Sequence, residues 1–137
     1  MKTAKDLMTS PAECLAPDET ILTAARMLSK YDVGSMPIVD GDDLVGVVTD
    51  RDIVINAVAK GLDPKETPIS KIASTNVVTV EASAPASEVA SLMAEHQVRR
   101  MPVVDGGKVV GMVAPADVAR DLDDGTTGEV VEEISQA

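Results

Sequence analysis

An internal repeat constrains the fold of this chain more than any other feature of its sequence. Shifting the sequence by 65 positions lays residues 98–117 over residues 33–52 without a gap. The identical pairs include proline, glycine, aspartate and apolar residues: Met36/Met101, Pro37/Pro102, Val39/Val104, Asp40/Asp105, Gly41/Gly106, Val45/Val110, Gly46/Gly111, Val48/Val113 and Asp52/Asp117. A repeat of this kind predicts that the chain builds one structural unit twice.

Both copies predict an amphipathic helix before this repeated stretch. In the first copy, residues 20–31 carry apolar side chains at helical spacing; they are Ile21, Ala24, Ala25 and Leu28. The second copy predicts the equivalent helix, with Pro85 in its first turn and Ser83 as its cap. The apolar side of each helix is expected to face a core.

The repeated stretch itself predicts a β-hairpin. Two apolar runs, residues 36–39 and 44–48, flank the turn pair Asp40-Gly41, and the second copy repeats this arrangement. A further helix follows the first hairpin and ends at Gly61. The predicted fold class is α/β (α+β), with two pseudo-twofold repeats that each place helices beside a small sheet.

The repeat boundaries predict four segments. They are a first repeat at residues 1–62, a polar linker at 63–70, a second repeat at 71–122 and an acidic tail at 123–137. A unit near 60 residues buries only about 60% of its unfolded surface alone, so the repeats are expected to fold against each other. The tail has no counterpart in the first repeat and is expected to be mobile or docked on a partner.

Composition narrows the classes of function. A formal net charge of −11 argues against a nucleic-acid partner, because binding to phosphates requires a basic face. Apolar residues make up 45% of the chain, yet there is no Phe or Trp, so the core is expected to be aliphatic. A flat ligand would then be held by methyl groups.

Cysteine content and hydropathy favour the cytoplasm. Cys14 is the only cysteine, which excludes an intramolecular disulfide and fits a reducing compartment. No apolar run approaches 18 residues, and the N-terminal residues lack the apolar segment of a signal peptide. We therefore expect a soluble cytoplasmic protein without a membrane partner.

The repeated motifs resemble a known family. A hydrophobic residue and Pro, two β-branched residues and Asp, then Gly-hydrophobic-hydrophobic-Thr-x-x-Asp, resemble the CBS domain, here in tandem as a Bateman module. The stretches TDRDIVI, GLDP and EHQVRRMPVV are similar to small stand-alone CBS-pair proteins of the hypoxic response type. The resemblance covers roughly residues 6–122.

This resemblance implies a regulatory sensor that is not an enzyme. In such modules the clefts between the repeats bind adenosine compounds such as AMP, ATP, NAD or S-adenosylmethionine, and modules commonly pair as dimers. We therefore expect an adenosine nucleotide as ligand, no required cofactor and a homodimer. The alternative is a ligand-free, stress-induced dimeric scaffold that binds another protein.

Thr49 and Asp52 match the residues that read the ribose in this family. An ionised carboxylate can accept hydrogen bonds from both ribose hydroxyls. The alternative is that Thr-x-x-Asp only caps a helix. In the second copy Ala114 replaces the threonine while Asp117 is retained, so the second ribose site departs from the family pattern.

Arginines supply the candidate phosphate contacts. Arg99 and Arg100 stand where the first copy has glycine and serine, and related modules often place a phosphate-binding basic residue here. The alternative is that they pair with acidic neighbours such as Glu95. Arg51 is a third candidate, unless it only faces solvent.

Four apolar residues are candidates for contact with adenine. The hydrophobic-Pro pairs would present methyl and backbone groups to a base; they are Met36, Pro37, Met101 and Pro102. Core packing is the alternative role for these residues. Both readings remain open from the sequence.

Metal binding and catalysis are not expected. The single Cys14 and the single His96 are far apart and give no ligand spacing. No Ser-His-Asp or Cys-His arrangement can be recognised. We therefore predict neither a native metal site nor an enzyme.

Overall fold

The computed structural model describes residues 2–120, so the predicted acidic tail at 123–137 lies outside the described residues. The chain divides into two compact units. One contains residues 13–77 with the first hairpin, and we call it the hairpin-1 unit. The other combines residues 2–12 with residues 78–120, and we call it the hairpin-2 unit.

Helices and short strands both occur in each half of the described chain. In chain order they are α1 Ala4–Leu7, α2 Ile21–Tyr31, β1 Ser35–Asp40, β2 Asp43–Thr49, α3 Asp50–Asp52 continued by a π-helix Ile53–Val58, a 3₁₀ turn Ile69–Lys71, β3 Val80–Glu81, α4 Ala86–His96, β4 Met101–Asp105, β5 Lys108–Val113 and α5 Pro115–Ala119. This mixed α/β architecture confirms the predicted fold class.

Helix α2 matches the predicted amphipathic helix. The hydroxyl oxygen of Thr20 accepts the backbone N–H of Thr23 at 3.2 Å and caps the helix. Its apolar face is buried through Ile21, Ala24 and Leu28. The helix ends at Asp32, whose left-handed backbone (φ 53°) stops the helical repeat.

Helix α4 is also present, but its predicted cap is wrong. Pro85 is the N-cap residue, and no side chain caps this helix. Ser83 lies two residues earlier. The first N–H of the helix, at Ala86, instead donates to the backbone oxygen of Lys2 at 3.0 Å, so the N-terminal segment replaces the expected serine.

Both predicted hairpins are confirmed. Strands β1 and β2 pair antiparallel, as do β4 and β5. The turns place Gly41 and Gly106 at positive φ of 66° and 61°, which glycine adopts without strain. A register shift lies between Ile38 and Val39 in the first hairpin and at the corresponding place in the second.

The helix after the first hairpin differs from the sequence prediction. It begins as α3 and continues as a π-helix, and the N–H of Ala59 donates to Val54 five residues earlier at 2.9 Å. The adjacent β-branched residues Ile53, Val54 and Ile55 weaken the preference for an α-helix here. Gly61 closes the segment at φ 71°, as predicted.

The leading segments of the two repeats, residues 2–12 and 71–77, each belong to the compact unit that contains the hairpin of the other repeat. In the hairpin-1 unit, Val47 and Ser74 exchange two backbone hydrogen bonds, each 2.9 Å long. In the hairpin-2 unit, Met112 and Thr9 form the same pair at 2.8 and 3.0 Å. Shifting by 65 positions converts one pair into the other, so each hairpin pairs with the leading segment of the other repeat. The compact units and the sequence repeats therefore divide the chain differently.

Each unit has its own aliphatic core. The hairpin-1 core contains Leu15, Ile21, Ala24, Leu28, Met36, Ile38, Val48, Ala57, Ile69 and Ile72. The hairpin-2 core contains Ala4, Leu7, Val80, Ala82, Ala84, Ala86, Val89, Ala90, Met93, Met101, Val103, Val113 and Val118. Within residues 2–120, no helix has the length and apolar character needed to cross a membrane.

Candidate functional site

The predicted ribose-reading residues lie where each hairpin ends and a helix begins. Residues 49–52 form this junction in the hairpin-1 unit, and we call it the first corner. Residues 114–117 form the equivalent junction in the hairpin-2 unit, and we call it the second corner. In the first corner Thr49 ends the strand and is followed directly by the helix, whereas in the second corner Ala114 lies between the end of the strand and the helix that carries the aspartate.

The first corner is a reciprocal helix cap. The backbone N–H of Thr49 donates to Oδ2 of Asp52 at 2.9 Å, and the N–H of Asp52 donates to Oγ1 of Thr49 at 3.0 Å. Among residues 2–120, Oδ1 of Asp52 has no hydrogen-bond partner. The cap therefore fixes the carboxylate while leaving one oxygen available to a ligand.

A second Thr-x-x-Asp sequence, at residues 3–6, shows what capping alone produces. At the start of α1, the N–H and the hydroxyl of Thr3 both donate to Oδ2 of Asp6, at 2.9 and 3.1 Å. These bonds, the backbone bond first, lower the pKa of Asp6. Since no ligand is predicted at Asp6, a capping carboxylate is insufficient to identify a ribose site.

In the second corner, both carboxylate oxygens of Asp117 accept hydrogen bonds. The N–H of Ala114 donates to Oδ2 of Asp117 at 2.8 Å, but alanine has no hydroxyl to complete the cap. The guanidinium of Arg120 donates to Oδ1 of Asp117 at 2.6 Å. Both oxygens of Asp117 therefore have partners, unlike those of Asp52.

Arg120 is a residue that the sequence reasoning missed. Its side chain is 66% exposed, whereas that of Asp117 is only 12% exposed. The available signal was its spacing, because an arginine three residues after an aspartate on a helix can form an ion pair. The first copy has Ile55 at the corresponding position.

Arg99 and Arg100 border the second corner. The paired residues of β4 and β5 end at Met101 and Val113. Arg100 precedes Met101 and Ala114 follows Val113, so these two residues lie at the same end of the hairpin. Both arginines are exposed. Within the described residues neither forms an ion pair, so the predicted alternative of pairing with Glu95 is not observed.

Arg51 lies within the first corner and is exposed. Its backbone N–H donates to Oδ1 of Asp50 at 2.8 Å, and its guanidinium makes no ion pair with any residue in the described part of the chain. The first corner thus combines Arg51 with two carboxylates, Asp50 and Asp52. Its local charge is negative.

The structure favours the core role for the hydrophobic-Pro pairs. Met36 belongs to the hairpin-1 core and Met101 to the hairpin-2 core, and both are fully buried. Pro37 and Pro102 are also buried. Their side chains would reach a ligand only if the cores opened.

The described residues contain no cluster of side chains that could bind a metal ion. Among residues 2–120, no group of three or more His, Cys, Asp or Glu side chains is placed to hold a metal ion. Cys14 belongs to the hairpin-1 unit and His96 to the hairpin-2 unit. Burial, with a smaller contribution from Glu13, raises the pKa of the Cys14 thiol and so disfavours the thiolate that zinc binds.

The hairpin-1 unit also has a shallow groove at the far end of its hairpin. The groove has a volume of about 290 Å³ and is mostly apolar. Its lining residues are Pro17, Ile38, Asp40, Val45, Gly46, Ser70, Ala73 and Thr75. None of them is a predicted ligand-binding residue, so this groove is separate from the first corner.

Comparison with known proteins identifies the repeated unit. The model of the CBS domain matches residues 4–58 and again residues 69–124. Hypoxic response protein 1 of Mycobacterium tuberculosis is 42% identical over 123 residues, which cover 89% of this chain and 86% of the relative. The crystal structure of Hypoxic Response Protein I with two coordinated zinc ions superposes with a TM-score of 0.80, covering 89% of this chain and 100% of that chain.

Two further solved structures contain adenosine compounds. CBSX2 in complex with AMP is 26% identical, with a TM-score of 0.76 and coverage of 88% of this chain and 95% of that chain. The CBS domain pair of MJ0100 in complex with 5′-methylthioadenosine and S-adenosyl-L-methionine is 32% identical, with a TM-score of 0.75. Coverage in that case is 88% of this chain and 94% of the other.

Proposed function

Because the chain belongs to the CBS domain family and carries the domain twice as a regulatory module, we propose that it binds an adenosine nucleotide. Two similar structures hold AMP, or 5′-methylthioadenosine with S-adenosyl-L-methionine, which supports this ligand class. The ligand-free scaffold is not favoured, because CBS-pair structures similar to this chain contain adenosine compounds. We further propose that the module requires no cofactor and catalyses no reaction.

The observation that carries the proposal is the hydrogen bonding of the Asp52 carboxylate. Its Oδ2 is fixed by the cap, and its Oδ1 has no partner in the described part of the chain. A carboxylate held in this way loses little side-chain freedom when it accepts the two hydroxyls of a ribose. The hydroxyl of Thr49 accepts the N–H of Asp52 through its oxygen, so its hydrogen is available for a second contact.

The arginines would supply contacts with the phosphate. Arg99 and Arg100 are exposed and have no ion-pair partner among the described residues. A charge-assisted hydrogen bond contributes about 1.5 to 3 kcal/mol, enough to distinguish a nucleotide from a nucleoside. Arg51 is a further candidate in the first corner, and Asp117 is the ribose candidate in the second.

A calorimetric titration with AMP, ATP, NAD and S-adenosylmethionine tests the proposal. We expect at least one of them to bind more tightly than about 1 mM. Asp52→Ala should remove binding at the first corner, because it removes the fixed carboxylate. A ligand present at 100 times its dissociation constant should also raise the free energy of unfolding by about 2.7 kcal/mol.

Asp6→Ala is the matched control for this titration. It removes a capping carboxylate from another Thr-x-x-Asp sequence, where no ligand is predicted. Binding by Asp6→Ala should equal that of the unmodified chain. Absence of binding by all four compounds would contradict the proposed function, and an unchanged isotherm for Asp52→Ala would contradict the assignment of the site to the first corner.

One similar solved structure holds two zinc ions, which raises the question of a metal in this chain. Among the described residues no three candidate ligands come together, and the Cys14 thiol has a raised pKa. We therefore propose that the module needs no resident metal. The same cysteine fits a reducing compartment, and we propose the cytoplasm as the location.

We also propose that a second copy of the chain is a partner. Three apolar side chains on the π-helix are exposed, by 56% at Val54, 46% at Ile55 and 69% at Val58. Exposed apolar residues clustered on one element commonly mark an interaction surface. We call these three residues the π-helix patch.

A further inference from the structure

The ion pair between Arg120 and Asp117 distinguishes the second corner from the first. Arg120 Nη2 lies 2.6 Å from Oδ1 of Asp117, while the other carboxylate oxygen accepts the N–H of Ala114. The carboxylate is nearly buried, so loss of a partner costs more there than in water. A ribose that binds Asp117 must therefore compete with the guanidinium.

The two corners also differ in charge. The first corner has two aspartates, Asp50 and Asp52, and one arginine. The second has one aspartate and is bordered by three arginines, Arg99, Arg100 and Arg120, in place of Gly34, Ser35 and Ile55. Each of these three changes adds a positive charge to the same part of the hairpin-2 unit. The second corner therefore suits an anionic ligand group better than the first.

We propose that Arg120 is a specificity residue that restricts the second corner to phosphorylated nucleosides. When the ribose displaces the guanidinium from Asp117, a phosphate gives Arg120 a new anionic partner. An unphosphorylated nucleoside takes the same carboxylate but leaves the guanidinium without a counter-charge. This inference rests on the proposed binding of adenosine compounds and adds the requirement for a phosphate.

Calorimetry with AMP and adenosine tests the role of Arg120. The comparison uses Asp52→Ala, which disables the first corner, and the double variant Asp52→Ala/Arg120→Ile. Isoleucine is the residue of the first copy at this position, and the exposed Arg120 side chain makes loss of folding unexpected. Loss of one charge-assisted contact should reduce the preference for AMP over adenosine by about tenfold.

Arg26→Ile in the Asp52→Ala background is the matched control. Arg26 is an exposed arginine of α2 in the hairpin-1 unit, so its removal changes the net charge equally and should leave the preference unchanged. Arg120→Lys keeps the charge without the planar fork and should give an intermediate preference.

The outcomes separate this inference from the proposed function. If the unmodified chain binds adenosine compounds but Arg120→Ile leaves the preference for AMP unchanged, Arg120 is not a specificity residue and the proposed function stands. If Asp52→Ala alone abolishes all binding, the second corner is not a site and the inference is again overturned. If the unmodified chain binds none of AMP, ATP, NAD and S-adenosylmethionine, the proposed function fails and the inference fails with it.

Discussion

At the scale of single residues, an aspartate in the first turn of a helix occurs in three different environments. Asp6, Asp52 and Asp117 each accept the backbone N–H three residues earlier, at 2.8 to 2.9 Å. Their remaining contacts differ, because Asp52 keeps an oxygen available and Asp117 is paired with Arg120. The sequence motif predicts the cap. The neighbouring side chains decide whether the capped carboxylate is available to a ligand.

Cys14 gives a prediction at the same scale. Burial raises the pKa of its thiol, and Glu13 adds to the shift, so the reactive thiolate should form only at higher pH than in the unfolded chain. Alkylation by iodoacetamide, measured as a function of pH in native and unfolded protein, should show a higher midpoint for the native state. Glu13→Gln should lower that midpoint.

The alkylation measurement also tests whether Cys14 binds zinc. If Cys14 is not a zinc ligand, added zinc should leave the alkylation rate of the native protein unchanged. A native midpoint at or below that of the unfolded chain would contradict the burial argument. Protection by zinc would contradict the proposal that no metal is resident.

At the scale of elements, a glycine in each hairpin allows the exchanged segment to approach. A Cβ atom at Gly46 would lie 2.8 Å from the backbone oxygen of Ser74. At Gly111 it would lie 2.8 Å from the backbone oxygen of Thr9 and would also overlap the side chain of Met8. Only glycine fits without a shift of the backbone.

Gly46→Ala and Gly111→Ala should each destabilise the protein. Overpacking against backbone atoms costs about 1 to 3 kcal/mol, which urea unfolding would measure as a lower transition midpoint. Gly34→Ala is the control, because its Cβ would meet Asp50 at an ordinary 3.4 Å and the second copy has Arg99 there. It should remain within about 1 kcal/mol of the unmodified chain. Equal losses in all three variants would contradict the close-approach argument.

Most elements could be predicted from local patterns, and the exceptions have physical causes. The spacing of Ile21, Ala24 and Leu28 was sufficient for α2, since one periodic face determines a helix. The cap of α4 was not predictable, because its partner at Lys2 is distant in sequence. The π-helix was missed because apolar spacing alone does not distinguish it from an α-helix.

At the scale of the whole molecule, the repeat was visible in the sequence but the exchange was not. Self-comparison shows that Thr9 corresponds to Ser74 and Val47 to Met112. It does not show which of the two leading segments pairs with which hairpin, because the corresponding segments are chemically alike. The ion pair of Arg120 with Asp117 also required the structure, because the spacing allows this contact without showing that it forms, although the motif itself placed Asp52 and Asp117.

The π-helix patch gives the prediction for assembly. The second copy has Ala119 and Arg120 where the patch has Val54 and Ile55, so the chain carries this surface once. Association of one patch with its own copy closes at a dimer. Light scattering should therefore give twice the chain mass, and Val58→Lys should shift the equilibrium towards the monomer.

Val45→Lys is the control for assembly. Val45 is another exposed valine, on β2 rather than on the π-helix, and its replacement adds the same charge. The dimer should persist in this variant. A monomer for the unmodified chain, or an equal effect of both lysines, would contradict the assignment of the interface.

The exchanged segments have a consequence for a chain with only one repeat. A single repeat that kept this pairing would take the leading segment for its hairpin from a second molecule. Two such chains would then form a symmetric pair in which each supplies its first residues to the other. Two repeats in one chain supply both leading segments within the same molecule. The two corners are then free to differ, as they do in this chain at Thr49 and Ala114 and at the arginines around Asp117.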